Sequence, residues 1–226
     1  MGVLRVLPRA VRLRFDGGGG AAYPSPVFLR DAQLVAVDFE STGAVAGYRE
    51  QPWQLGVVPI MAGQLDWEAA QSFWIHVPPD RPFSPFAPGS WRLVRDDLAG
   101  ARSLPDLWPV LRGRLAGVPL VAHNAATEKK FFRQAWPLHR LGPWVDTLTW
   151  SRQAFPDLPH HDLMRVLRAI GGERELEQRL PGRAAHDALY DAAASALVLA
   201  HLLQQPGWRD LELTDLRQGG SGEGAR

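Results

Sequence analysis

The chain contains no cysteine. Disulfides, thiolate-bound metal clusters and a cysteine nucleophile are therefore excluded. Any metal would have to be held by carboxylates and histidines, and an oxygen-rich donor set of that kind favours Mg or Mn over Zn. Net charge is nearly absent too: 25 Lys and Arg against 24 Asp and Glu leave +1 at pH 7. A nucleic-acid partner would thus be met by local basic patches rather than by an overall field. No stretch approaches the roughly 18 uncharged apolar residues of a membrane span. The opening segment MGVLRVLPRAVRLRF breaks its apolar residues with four arginines. It lacks the apolar core of a secretory signal and the Ser or Thr of a myristoylation site, so the expected location is the cytoplasm.

What is present suits one domain of moderate size with extensions: 226 residues, 46% of them hydrophobic. Residues 1–32 read as an N-terminal extension. Val11–Phe15 alternates like an edge strand, and Gly17–Gly20 is a flexible break without the Lys-Ser/Thr of a phosphate loop. Residues 33–205 read as the core, and 206–226 as a flexible tail that is polar and Gly-rich from Gln218 on. Strands are expected at Gln33–Phe39, Gln54–Pro59, Ser72–Val77, Val118–Ala122 and Trp144–Asp146. Helices are expected at Leu104–Leu115 behind a Ser103 cap, and at Thr127–Trp136, Asp146–Ala154, His161–Ile170 and Ala185–Leu203. Three strands in close succession, then strands alternating with helices, give an α/β domain with a mixed sheet.

The stretch LVAVDFESTG carries the most information. Strand alternation puts Asp38 and Glu40 on one face and Phe39 on the other. Two carboxylates on one face of a buried strand repel, and divalent cations relieve that repulsion. The plainer reading is an ion-paired strand end running into a Ser41-Thr42-Gly43 turn. A second segment, HNAATEKKFF, follows the fourth strand and brings His123, Asn124 and Glu128 to a carboxyl strand end, where sites gather. Helix capping by Asn124 and a dipole-favoured Glu128 are the plainer readings there. A third, HDALYDA, sets His186 and Asp191 five residues apart. That spacing suits one site if His186 precedes the helix. Asp187 is then expected to face solvent, whereas Asp191 lies among alanines at 188 and 192–194.

In this order the three segments resemble the DnaQ-like 3′–5′ exonucleases of the DEDD superfamily, in the subgroup with a histidine in its last motif. The resemblance covers residues 33–205 and implies a ribonuclease-H-like fold, a mixed five-stranded sheet flanked by helices. It implies two divalent cations, Mg or Mn, bound by Asp38, Glu40, Glu128 and Asp191. In that scheme Asp38 bridges the ions, Asp191 serves the one that acidifies the attacking water, and Glu40 and Glu128 hold the second. His186 is the general base. Thr42 and Gly43 would meet the 3′ end, His123 and Asn124 would lie close to substrate or be structural, and Asp146 would be supportive.

The implied substrate is single-stranded DNA. RNA trimming is the second reading, and a binding protein with a decayed site the third. Two departures stand out. Glu128 and Thr127 replace an Asp and an aromatic residue, and Ser90–Val94 lacks the family's His-Gly element. Lys129, Lys130, Arg133 and Arg140 form a solvated basic face or a phosphate track. Trp53, Trp91 and Trp136 read first as core. No polymerase-binding tail is legible.

Overall fold

The computed structural model describes residues 27–218. Six strands, β1 (Gln33–Ser41), β2 (Pro52–Met61), β3 (Gln64–Leu65), β4 (Gln71–Trp74), β5 (Leu120–Ala122) and β6 (Trp144–Asp146), form one mixed sheet. The order is β3-β2-β1-β5-β6, with β4 also on the outer edge of β2. The first strands run antiparallel, while β1, β5 and β6 are parallel to one another. The helices are α1 (Arg95–Gly100), α2 (Trp108–Leu115), α3 (Ala126–Ala135), α4 (Thr147–Ala154), α5 (Leu163–Ala169), α6 (Glu173–Arg179), α7 (Ala188–Leu203) and α8 (Asp215–Gln218). This is the ribonuclease-H-like arrangement read from the motifs, with β3 and β4 sharing the edge beyond β2.

Period-two alternation along β1 decides which helix lies on which face. Leu34 and Ala36, with Val58 and Ile60 of β2, bury against Leu189, Ala193 and Ala196 of α7. Val35, Val37 and Phe39, with Leu55 and Val57, bury against Leu111 and Leu115 of α2 and Phe131 and Phe132 of α3. Because α7 is apolar nearly all round, it can be buried against the sheet on one side and α4 and α5 on the other. Among the described residues, no helix is long and apolar enough to cross a membrane.

The folded unit takes in residues on both sides of 33–205. Leu29 is fully buried in the α7 core, and its N–H donates to the Leu211 carbonyl at 2.8 Å. Phe28 pairs with Glu212, and Trp208 is 1% exposed, packed on Ala154, Val166, Val198 and Leu202. Isolated apolar residues such as these carry no periodic signal. The edge strand expected at 11–15, the glycine break at 17–20 and the tail beyond 218 lie outside the described residues.

Trp208→Ala should therefore destabilise the protein by about 3–5 kcal/mol, the range for large core deletions. Urea denaturation measures this, and a shift close to zero would show that the segment is not part of the cooperative core.

Candidate active site

Asp38 and Glu40 continue the α7-facing side of β1, where Leu34 and Ala36 stand before them. Their cross-strand partners on β2 are Gly56 and Gln54. The start of α7 lies directly on these two. A Cβ on Gly56 would stand 2.0 Å from the Ala188 carbonyl oxygen, so only glycine permits the approach. Beside it, the buried Gln54 amide accepts from the Ala188 N–H at 3.2 Å and donates to Asp187 Oδ2 at 3.2 Å and Ser72 Oγ at 3.0 Å. Asp187 Oδ1 caps α7 by accepting from Leu189 N at 3.0 Å and Tyr190 N at 3.2 Å, while Oδ2 also pairs with Arg183 Nη1 at 2.6 Å. The expectation that Asp187 faces solvent is corrected: its carboxylate joins β2, the preceding loop and the helix start.

This docking fixes the third segment. His186 precedes α7 with φ of 67°, a left-handed backbone, and its N–H donates to Asp191 Oδ2 at 3.0 Å. That reversal makes the five-residue spacing workable. One donor atom from each of Glu40, His186 and Asp191 lies within 4.8 Å of the others.

The second segment is seated from the opposite face. Phe39 meets the rings of Phe131 and Phe132 edge-on, with centroids 5.4 and 5.0 Å away. This holds α3 against β1 and buries Glu128, in its first turn, to 3% exposure. Glu50 adds a tie, accepting from Ser41 Oγ at 2.6 Å and pairing with Lys130. Asn124, itself left-handed at φ 68°, starts the turn into α3. Asp146 gathers that turn and α4 by accepting from the backbone N–H groups of Asn124, Ala125, Leu148 and Thr149.

Several residues read as substrate-facing turn out to be engaged inside the fold. His123 contacts the His161 carbonyl through Nε2 at 2.8 Å and the Thr147 hydroxyl through Nδ1 at 3.0 Å. A carbonyl can only accept, so Nε2 donates; in the neutral ring Nδ1 then accepts, and the single Thr147 hydroxyl proton is shared between it and the Ala122 carbonyl at 3.2 Å. Burial lowers the His123 pKa, in keeping with that neutral ring. Thr42 is fully buried. Its N–H donates to the Gln51 carbonyl, its Oγ1 accepts from Gln51 N, and its carbonyl accepts from Ser84 N. Thr42 and His123 therefore shape the site instead of offering free polar groups. Trp53 and Trp136 are core, and Trp91 stacks on Phe83. Lys129 lies over Trp144 and Lys130 is paired, while Arg133 and Arg140 are exposed. Gln54 and Gly56 escaped the sequence reading, although a glutamine and a glycine inside the apolar run PWQLGVV were a visible signal.

The electrostatics are those of acids short of counter-charge. Burial, then the charges of Glu128, Asp191, Glu40 and Asp187, push Asp38 well above the usual carboxylate range. Burial, then Asp191, Asp187 and Glu128, raises Glu40 to about 8. Burial also raises Glu128 to about 8, against the pull of its own and the Phe39 backbone amides. Asp191 rises to about 6, again through burial, offset by the His186 amide. Lys130 and Arg183 are paired with Glu50 and Asp187. Glu128 Oε2 and Asp191 Oδ1 are buried with no hydrogen-bond partner. Converging hard oxygen donors, two of them orphaned, fit a divalent cation of the Mg or Mn type.

Comparison with known proteins points the same way. The RNase_T family model, described as Exonuclease, matches residues 35–199. The chain is 28% identical over 141 residues to exodeoxyribonuclease 10 of Escherichia coli, covering 62% of the chain and 58% of that protein. It is 25% identical over 176 residues to the PolC-type DNA polymerase III of Streptococcus thermophilus, covering 76% of the chain but only 11% of the polymerase. Among solved structures, the nuclease domain of 3′hExo, a DEDDh family member bound to rAMP, superposes with a TM-score of 0.58. That match has 18% identity and covers 78% of this chain and 94% of the other. E. coli exonuclease I in complex with a dA16 oligonucleotide gives 0.59 at 14% identity, over 77% and 41% of the two chains.

A carboxyl whose folded pKa is raised binds more protons in the folded state than in the unfolded one, so its stabilising contribution fades as pH rises. In the metal-free protein, Tm should fall as pH rises from the ordinary carboxylate values of 3.8 and 4.5 through about 6 and about 8. Mn or Mg should remove most of the decline, and Glu40→Gln should flatten it. Thermal unfolding in chelator and in Mn at several pH values measures this. A rise in Tm across that window without metal would contradict the electrostatic picture.

Proposed function

We propose a function from the premise that the chain belongs to the RNase_T exonuclease family. The DFESTG, HNAATE and His186–Asp191 motifs had indicated the same DnaQ-like group. The proposal is hydrolysis of phosphodiester bonds, one nucleotide at a time, from the 3′ end of single-stranded DNA. The observation that carries it is the convergence of Glu40, His186 and Asp191 within 4.8 Å, beside a half-buried Asp38 and a buried Glu128. The chain spans 58% of exodeoxyribonuclease 10 and a small fraction of the PolC-type polymerase, so the reaction itself is argued from the site.

Asp38, Glu40, Glu128 and Asp191 would hold two divalent cations, Mg or Mn. When bound, such ions neutralise phosphate charge and acidify a water molecule. Asp38 feels the charge of all three other acids, which suits it to be shared between ions. His186, exposed on a backbone anchored by Asp191, takes the proton from the attacking water as the general base. Gln54 and Asp187 keep that histidine and Asp191 in place by fixing the start of α7. Glu128 would stand in for the family's aspartate: it is buried, and its charge bears on both Asp38 and Glu40, which argues against a decayed site. DNA is favoured by the names of the two curated relatives. RNA trimming is the second reading, favoured by the rAMP-bound fold neighbour.

With Mn or Mg, matched 5′-labelled DNA and RNA strands separate the readings. A ladder shortening from the 3′ end is expected, strongest on DNA. His186→Ala should slow it by roughly 10²–10⁴, and Asp38→Ala by more. No metal-dependent shortening of either strand would overturn the proposal.

A further inference from the structure

The segment Ser84–Gly89 links the first motif to the third. The Ser84 N–H donates to the Thr42 carbonyl at 2.8 Å. A Cβ on Gly43 would stand 2.9 Å from Ser84 Cβ and 3.5 Å from Ala87 Cβ. At the other end, a Cβ on Gly89 would stand 2.7 Å from the His186 carbonyl oxygen. Between these two seats the chain makes a tight turn: Ala87 N donates to the Ser84 carbonyl at 3.0 Å, and Phe86 N donates to Ser84 Oγ at 3.3 Å. Pro85 and Pro88 stiffen it further. Ser84 and Ala87 are buried, yet the phenylalanine between them is 92% exposed.

Single exposed apolar residues are ordinary on a protein surface. Phe86 differs because the turn that carries it is clamped at both ends to the rim of the acidic site. Around it Arg81 and Arg95 are tied to backbone carbonyls, and Arg92 stands exposed. Arg81, Arg92 and Arg95 lie over the rings of Tyr48, Trp91 and Phe83, 4.8, 4.3 and 4.6 Å from the centroids. Trp53 and Trp136 are core and Trp91 stacks on Phe83, whereas the Phe86 ring stands exposed.

We propose that Phe86 stacks on a nucleobase near the 3′ end of a single strand and so seats the strand over the acidic site. The inference rests on the exonuclease reading. An aromatic face accepts any base, so the contact gives grip without sequence preference.

The test compares kcat/KM of the wild-type protein and Phe86→Ala, with Mn, on two DNA strands. One bears normal bases, and the other is abasic at its last few 3′ positions. Phe86→Ala should lower kcat/KM on the normal strand by roughly 5- to 150-fold, mainly through KM, and change it little on the abasic strand. Phe86→Trp should restore most of the loss, and Tm should be unmoved because the side chain packs on nothing. Equal rates for wild type and Phe86→Ala on the normal strand would overturn the stacking proposal, and so would an equal loss on both strands. A wild-type protein that shortens neither strand would overturn the exonuclease reading and this proposal with it.

Discussion

Asp38, Glu40, Glu128 and Asp191 repel one another in a site from which much of the water is removed, and the surrounding fold resists that repulsion. The decisive approach is that of α7 to β2. The helix start lies on Gly56 where a side chain would collide with the Ala188 carbonyl, and the Gln54 amide ties the two together. Asp191 is thereby brought to Asp38, the cross-strand partner of Gly56. On the opposite face the Phe39 ring holds α3 and keeps Glu128 in reach. Separating the acids would cost this packing, so the charge is left for cations to balance.

The loops follow the same logic. Asp187 and Asp146 each gather backbone N–H groups at a helix start, so these two acids are satisfied inside the protein while Glu128 and Asp191 are so only in part. The contrast separates the helix-capping carboxylates from the proposed metal ligands better than burial does. Glu128 and Asp191 each retain an oxygen without a partner, whereas both oxygens of Asp146 and Asp187 accept hydrogen bonds.

Much of this was legible in the sequence, because two of its signals are local. Alternation along LVAVDFE assigns Asp38 and Glu40 to one face and Phe39 to the other, and an acid in an alanine-rich helix marks Asp191. What was not legible depends on contacts between distant segments. Nothing in HNAATE says that the His123 ring will be spent on Thr147 and the His161 carbonyl, or that Thr42 will be buried under Gln51 and Ser84. Leu29 and Trp208 join the core from outside 33–205, where Phe28 and Leu29 pair with Glu212 and Leu211, and such pairing leaves no periodic trace. Phe86 sits in a Pro-rich stretch with no periodic signal, and its exposure is a property of the folded turn.

The four acids are proposed to form a cation site, with protons held there when no cation is bound. Calorimetric titration of the metal-free protein with MnCl2 at pH 7, in two buffers of different ionisation enthalpy, tests it most directly. Saturable binding with net proton release is predicted, because Glu40 and Glu128 titrate at about 8 and must give up protons to bind. Asp38→Asn should weaken that binding severely. Absence of saturable binding, or binding without proton release that Asp38→Asn leaves intact, would contradict the account.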